Sequence, residues 1–67
     1  MSELITKIKY YRENLGMSQE ELGLIVGVRR ETISRLEKGK YNPSLKLAMD
    51  IAKIFNVKVE DVFEFVD

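Results

Sequence analysis

Ser18-Gln19-Glu20-Glu21-Leu22-Gly23-Leu24-Ile25-Val26-Gly27-Val28-Arg29-Arg30-Glu31-Thr32-Ile33-Ser34-Arg35-Leu36-Glu37-Lys38-Gly39 is the stretch that decides how this chain folds. Ser18 and Glu21 have the S-x-x-E spacing in which the hydroxyl accepts the Glu21 backbone N–H while the carboxylate bonds back to Ser18, so a helix starts there. It carries Leu22, Ile25 and Val26 and stops at Gly27 about two turns later, because glycine takes the left-handed conformation at a helix end at little steric cost. A second helix of this pair opens near Arg29, carries Ile33 and Leu36 on one face, and stops at Gly39 in the same way. Gly23 is expected to be small because the two helices cross closely there. Leu22, Val26, Val28, Ile33 and Leu36 then fill the wedge that sets the angle between them.

Two short helices fixed across a glycine turn, one apolar face inward and one basic face outward, form a helix-turn-helix pattern over residues 19–38. The outward face of the second helix then stands as a rod of the size that enters the major groove of DNA. Overall charge raises an objection, since 11 Lys and Arg are balanced by 11 Asp and Glu and affinity for DNA begins with neutralising phosphates. Distribution answers it. Between Arg29 and Lys40 lie Arg29, Arg30, Arg35, Lys38 and Lys40 against Glu31 and Glu37, a local balance of +3 that leaves −3 for the remainder. Much of the negative charge sits at Glu60, Asp61, Glu64 and Asp67, so the chain has a basic middle and an acidic end.

Outward from that centre, Leu4, Ile8, Tyr11 and Leu15 recur at helical intervals and form one stripe of a first helix ending at Gly16. Either Ser2 or Thr6 can cap it. With Thr6 as the cap, Met1 to Ile5 is free to form a short extended segment. Beyond the central pair, Asn42-Pro43 cannot continue a helix, so Lys40 to Pro43 is a loop and Ser44 caps a fourth helix. That helix holds Leu45, Leu47, Ala48, Met49, Ile51, Ala52, Ile54 and Phe55, is apolar over most of its circumference, and is expected to be central. Asn56 ends it, Val59 to Phe63 reads as a short fifth helix, and the alternation Phe63-Glu64-Phe65-Val66 is equally compatible with an extended segment. The expected fold class is all-α: one five-helix domain over residues 1–67, with a short terminal β-strand or hairpin as the alternative for its ends.

At 67 residues the chain holds one core. With no Cys and no His it has neither a disulfide nor a zinc site to staple it, and no cofactor or metal is expected. No apolar run approaches the roughly 18 residues that span a bilayer, and MSELITKIKYY lacks a signal peptide's apolar stretch. A cytoplasmic location without membrane attachment is expected. The carboxylate pairs Glu20-Glu21 and Glu60-Asp61 fall at helix starts, where acids stabilise the helix dipole, so an enzyme is not expected. Nor is there room for a small-molecule effector domain.

Arg12, Ser18-Gln19-Glu20-Glu21-Leu22, Gly27-Val28, Thr32-Ile33-Ser34-Arg35-Leu36-Glu37-Lys38-Gly39-Lys40, Asn42-Pro43-Ser44-Leu45 and Glu60-Asp61-Val62-Phe63 together closely resemble the Xre/Cro, lambda-repressor-like family of helix-turn-helix regulators. The resemblance runs from about Ile8 to Phe63, and its final motifs are similar to those of the small stand-alone members. It implies a lambda-repressor-like fold with a buried ion pair between Arg12 and Glu37. Ser18 and Gln19 then face a DNA phosphate at a helix N-terminus, a place that suits an anion in any case. Arg30, Glu31 and Arg35 take positions that meet base edges, and Thr32 and Ser34 positions that meet bases or backbone. Arginine can donate twice to guanine and glutamate can accept from cytosine N4. Arg29, Lys38 and Lys40, with the loop N–H groups around Gly39 and Tyr41, fall beside phosphates and set affinity more than sequence.

The expected partners are double-stranded operator DNA and a second copy of the chain, since members of this fold commonly dimerise to place two recognition helices about 34 Å apart. Val62, Phe63, Phe65 and Val66 form the candidate dimer patch; Val62 and Phe63 can equally close the core. A homodimeric transcriptional repressor is the leading expectation, and an antitoxin or accessory protein-binding subunit of a toxin–antitoxin pair is the alternative. Two residues depart from the family pattern. Gly23 stands where alanine is usual, weakening its helix by up to about 1 kcal/mol, and Arg29 stands where a serine or threonine usually caps the recognition helix.

Overall fold

The computed structural model describes residues 2–67. The chain runs β1 (Glu3–Thr6), α1 (Ile8–Asn14), α2 (Gln19–Val26), α3 (Arg30–Glu37), α4 (Leu45–Phe55), α5 (Val59–Val62) and β2 (Phe63–Val66). Local chemistry accounts for most of the boundaries. Ser18 Oγ accepts the Glu21 N–H at 3.0 Å and Glu21 Oε1 accepts the Ser18 N–H at 2.9 Å, the full reciprocal cap expected from the spacing. The bond from the Ser18 backbone N–H, with the Ser18 side chain adding to it, favours the ionised form and holds the Glu21 carboxyl below the usual glutamate range. Gly27 takes the left-handed conformation at φ 80°, and both its N–H and that of Val28 bond to the Gly23 carbonyl, turning the chain sharply. Ser44 Oγ accepts the Leu47 N–H at 3.1 Å to open α4, and Asn56 closes it at φ 58°. The Asp61 carboxylate accepts the Lys58 N–H at 3.0 Å at the start of α5, which ends at Val62, one residue before the expected end.

The two ends of the chain pair with each other. β1 and β2 form an antiparallel ribbon in the register Glu3↔Val66, Leu4↔Phe65, Ile5↔Glu64 and Thr6↔Phe63. The fold is thus helical with a two-strand ribbon, and the extended alternative for the termini is the one adopted. Neither Ser2 nor Thr6 caps α1. Lys7 occupies that position with no side-chain bond, and its N–H bonds instead to the Val62 carbonyl at 2.8 Å as the chain leaves the ribbon. The proposed first stripe is corrected accordingly: Leu4 reaches the core from the strand, Ile8 and Tyr11 from α1, and Leu15 lies exposed past the helix end. The cause is strand pairing, which supplies the backbone of residues 3–6 with partners that an isolated first turn of helix lacks.

Ile8, Leu22, Ile33, Leu36, Ile51 and Val62 are fully buried. Each such side chain contributes roughly 1.5–3 kcal/mol when removed from water. The layer is drawn from α1, α2, α3, α4 and α5, so no helix can leave without opening it. α4 adds Leu47, Ala48, Ala52 and Phe55, and Tyr11 stacks on Phe55 with ring centroids 5.4 Å apart. The expectation that α4 is surrounded is only half met, since Leu45 and Met49 stand on its solvent side. Gly23 needs its small size, but for a different reason than expected: a Cβ there would lie 2.6 Å from the Val28 carbonyl oxygen, so the constraint is the turn itself, not the third helix.

Candidate nucleic-acid interface

α3 buries Ile33 and Leu36 and turns Arg30, Glu31 and Arg35 into solvent, with Thr32 and Ser34 half-buried. At about 100° per residue, Arg30, Ser34, Lys38, Glu31 and Arg35 fall in one outward arc. Thr32 lies beyond its edge. Arg29 precedes the helix in extended conformation and offers its N-terminus no side-chain acceptor, as expected from its departure from the usual cap. At the other end the Gly39 N–H bonds to the Leu36 carbonyl at 3.0 Å and the Lys40 N–H to the Arg35 carbonyl at 2.9 Å, the paired bonds of a Schellman stop around Gly39 at φ 70°. A Cβ on Gly39 would collide with the Leu4 carbonyl of β1. Lys38, Lys40 and Tyr41 are all exposed at this end.

The angle between the helices is held by a buried cluster. Arg12 is 9% exposed; its Nε donates to Glu37 Oε2 at 2.7 Å and its Nη2 to Glu37 Oε1 at 3.2 Å. Its Nη1 donates to the Met17 carbonyl at 2.9 Å, tying down the α1–α2 connection. The hydrogen bond to Glu37, opposed in part by burial, raises the arginine's pKa further above its ordinary value. Gln19 Nε2 donates to Glu37 Oε1 at 3.0 Å, so α1, α2 and α3 all converge on one carboxylate. This bond to Gln19 had no signature in the spacing of the sequence. It leaves the second Nε2 proton and the backbone N–H groups of Gln19 and Glu20 free to meet an anion, the Glu21 N–H being taken by Ser18.

Lys9, Arg12, Gln19, Ser34, Glu37 and Lys38 line one concavity beside this cluster. Lys9 is a member that sequence reasoning missed; its only signal was its place next to the buried Ile8 on α1. A second feature lay equally out of reach: the Arg35 guanidinium carbon sits 5.9 Å from the centroid of the Tyr41 ring, across the Gly39 turn. The patch offered for dimerisation divides. Val62 is 1% exposed and belongs to the core, Phe63 is half-buried against it, and Phe65 and Val66 are exposed on the ribbon together with Ile5. Among the described residues no cluster of His, Cys, Asp or Glu could hold a metal ion, and no helix is long and apolar enough to cross a membrane.

Comparison with known proteins agrees with this geometry. A family model described as helix-turn-helix matches residues 8–62. The chain is 65% identical over 60 residues to an uncharacterized HTH-type transcriptional regulator of Archaeoglobus fulgidus, an overlap of 90% of this chain and 84% of that one. It is 54% identical over 57 residues to the uncharacterized HTH-type transcriptional regulator YgzD of Bacillus subtilis, covering 85% of this chain and 86% of the relative. Among solved structures, the restriction-modification controller protein C.AhdI of Aeromonas hydrophila superposes with a TM-score of 0.73 at 25% identity, over 82% of this chain and 80% of that one. The transcriptional regulator VanUg shares the fold with a TM-score of 0.76 at 24% identity, over 97% of this chain and 87% of its own. The chain belongs to the helix-turn-helix, Xre-type family of DNA-binding transcriptional regulators, and it is not an enzyme.

Proposed function

We propose that this regulator is a repressor that binds operator DNA as a homodimer, inserting α3 into the major groove of each half-site. The observation that carries the reading is the outward arc of α3, basic and exposed at Arg30, Arg35 and Lys38, on a helix whose angle is set by the Arg12–Glu37–Gln19 cluster. Preorganisation of this kind removes the cost of ordering the reading head on binding. Arg30 and Arg35 donate to guanine O6 and N7, Glu31 accepts from cytosine N4, and Thr32 and Ser34 make the flanking base contacts. Ser18 flanks the N-terminus of α2, the end of a helix that suits a phosphate. Gln19, Arg29, Lys38 and Lys40, with the loop amides at Gly39 and Tyr41, complete the backbone contacts that fix register.

Dimerisation through the ribbon, with Phe65 and Val66 at its exposed end and Phe63 behind them, doubles a footprint that one small domain leaves too small for specific binding. Repression then follows from occupancy of the operator in the cytoplasm, with no cofactor. Selection of bound sequences from random duplex DNA tests this directly. A palindrome with half-site centres about 10 base pairs apart is the expected result. Enrichment of single, unpaired half-sites would remove the dimer, and no enrichment at all would remove sequence-specific binding.

A further inference from the structure

We infer that Tyr41 is a positioning residue for base reading: its ring holds the Arg35 guanidinium in place, so Tyr41 determines specificity through Arg35 as well as lending its backbone to a phosphate. This rests on the reading above, in which Arg35 meets a base edge. The guanidinium carbon lies 5.9 Å from the ring centroid, within the range at which a cation is drawn to an aromatic face. Ion pairs among the described residues join Arg12 to Glu37 and Lys46 to Asp50, and Arg35 takes part in neither. An alternative anchor was at hand, because Glu31 lies one helical turn before Arg35 at the i,i+4 spacing of a helix ion pair. A carboxylate there would occupy the very N–H groups that a guanine needs. An aromatic face attracts the cation without drawing its N–H donors into an ion pair.

Tyr41 can reach Arg35 because the Gly39 turn folds the chain back across the end of α3, with the Lys40 N–H bonded to the Arg35 carbonyl at 2.9 Å. A long, flexible arginine loses rotamer freedom when it meets a base, and ordering it beforehand lowers that cost. An exposed contact of this class corresponds to roughly 0.5–1 kcal/mol, or about a two- to fivefold change in a dissociation constant.

The test is a double-mutant cycle on the full chain with the selected operator and a scrambled duplex of equal length. Tyr41→Ala is expected to weaken operator binding about two- to fivefold and to leave the scrambled duplex unchanged. Tyr41→Phe, which keeps the ring, should bind as the parent does. In an Arg35→Ala background, Tyr41→Ala should have no further effect. Without DNA, the Arg35 side-chain protons should show ring-current shifts that Tyr41→Phe retains and Tyr41→Ala abolishes. An equal loss on both duplexes, or an undiminished effect of Tyr41→Ala when Arg35 is absent, would overturn the pairing alone. If Arg35→Ala itself weakens both duplexes alike, Arg35 does not read bases and both readings fall.

Discussion

Removing one partner of the Arg12–Glu37 pair should unfold a large fraction of this protein at temperatures where the parent is intact. The side chains are 11% and 8% exposed, and the carboxylate takes two bonds from Arg12 and one from Gln19. In Arg12→Met the carboxylate keeps the Gln19 amide alone, and the Met17 carbonyl loses its donor. Leaving one charge of a buried pair uncompensated costs about 3–5 kcal/mol. A chain of 67 residues has roughly 3–10 kcal/mol of total stability. The loss is therefore comparable to the whole, and even 3 kcal/mol lowers the melting temperature by on the order of 12–24 °C. Glu37→Leu should behave similarly, because it leaves the arginine's buried charge unanswered. The informative variant is the double change Arg12→Met with Glu37→Leu, which removes both charges and should recover at least half of the stability lost by either single change. Urea unfolding of all four proteins measures this. Single changes costing less than about 1 kcal/mol, or a double change equal to the sum of the singles, would show that the pair is not the buried clamp inferred from its geometry.

Gly39→Ala should destabilise the protein more than Gly16→Ala does: both glycines have positive φ, 70° and 64°, but only at Gly39 would the new methyl meet backbone, the Leu4 carbonyl. Denaturation midpoints of the two variants check the order, with about 1–2 kcal/mol expected from φ alone at Gly16. Because the folded pKa of Glu21 is lowered, the stability from its cap is fully present above its unfolded value of about 4.3 and is lost as the pH falls through the lower folded value. Glu21→Gln should accordingly show a shallower acid limb in urea midpoints between pH 6 and 2, and superimposable limbs would refute the assignment. Lys40→Ala should weaken binding to all duplexes alike and reduce the slope of log K against log salt by about 0.9, whereas a loss confined to one sequence would make Lys40 a reader of bases.

What was legible in the sequence was what neighbouring residues decide among themselves. The Ser18–Glu21 cap, the stops at Gly27, Gly39 and Asn56, and the start at Ser44 each depend on a few consecutive residues, and each lies where the spacing put it. The ribbon was only half legible. Alternation in Phe63 to Val66 allowed a strand, but its partner lies at the far end of the chain, and no local pattern announces the register Leu4↔Phe65. Leu4 was drawn into the helical stripe for the same reason: an interval of four to Ile8 reads as helix until a strand claims its backbone. In the interface, the residue types on α3 and the Arg12–Glu37 pair could be named from the family pattern. The bond from Gln19 to Glu37, the place of Lys9 beside Ser34 and Lys38, and the ring of Tyr41 over Arg35 could not, because each needs the three-dimensional path of a turn. Val62 shows the limit of composition, since an apolar residue near a terminus serves a core or a surface equally well until its burial is known.

The meeting of the two chain ends also sets how the molecule bears tension. Ser2 Oγ donates to Asp67 across a separation of 65 residues, at the open end of the ribbon. A tether drawing those ends apart loads the rungs one after another, Glu3↔Val66 first and Thr6↔Phe63 last, instead of shearing all of them together. Peeling is the geometry in which hydrogen bonds resist least, so the ribbon yields as a mechanical fuse, and the helices carry no load until its fourth rung has parted.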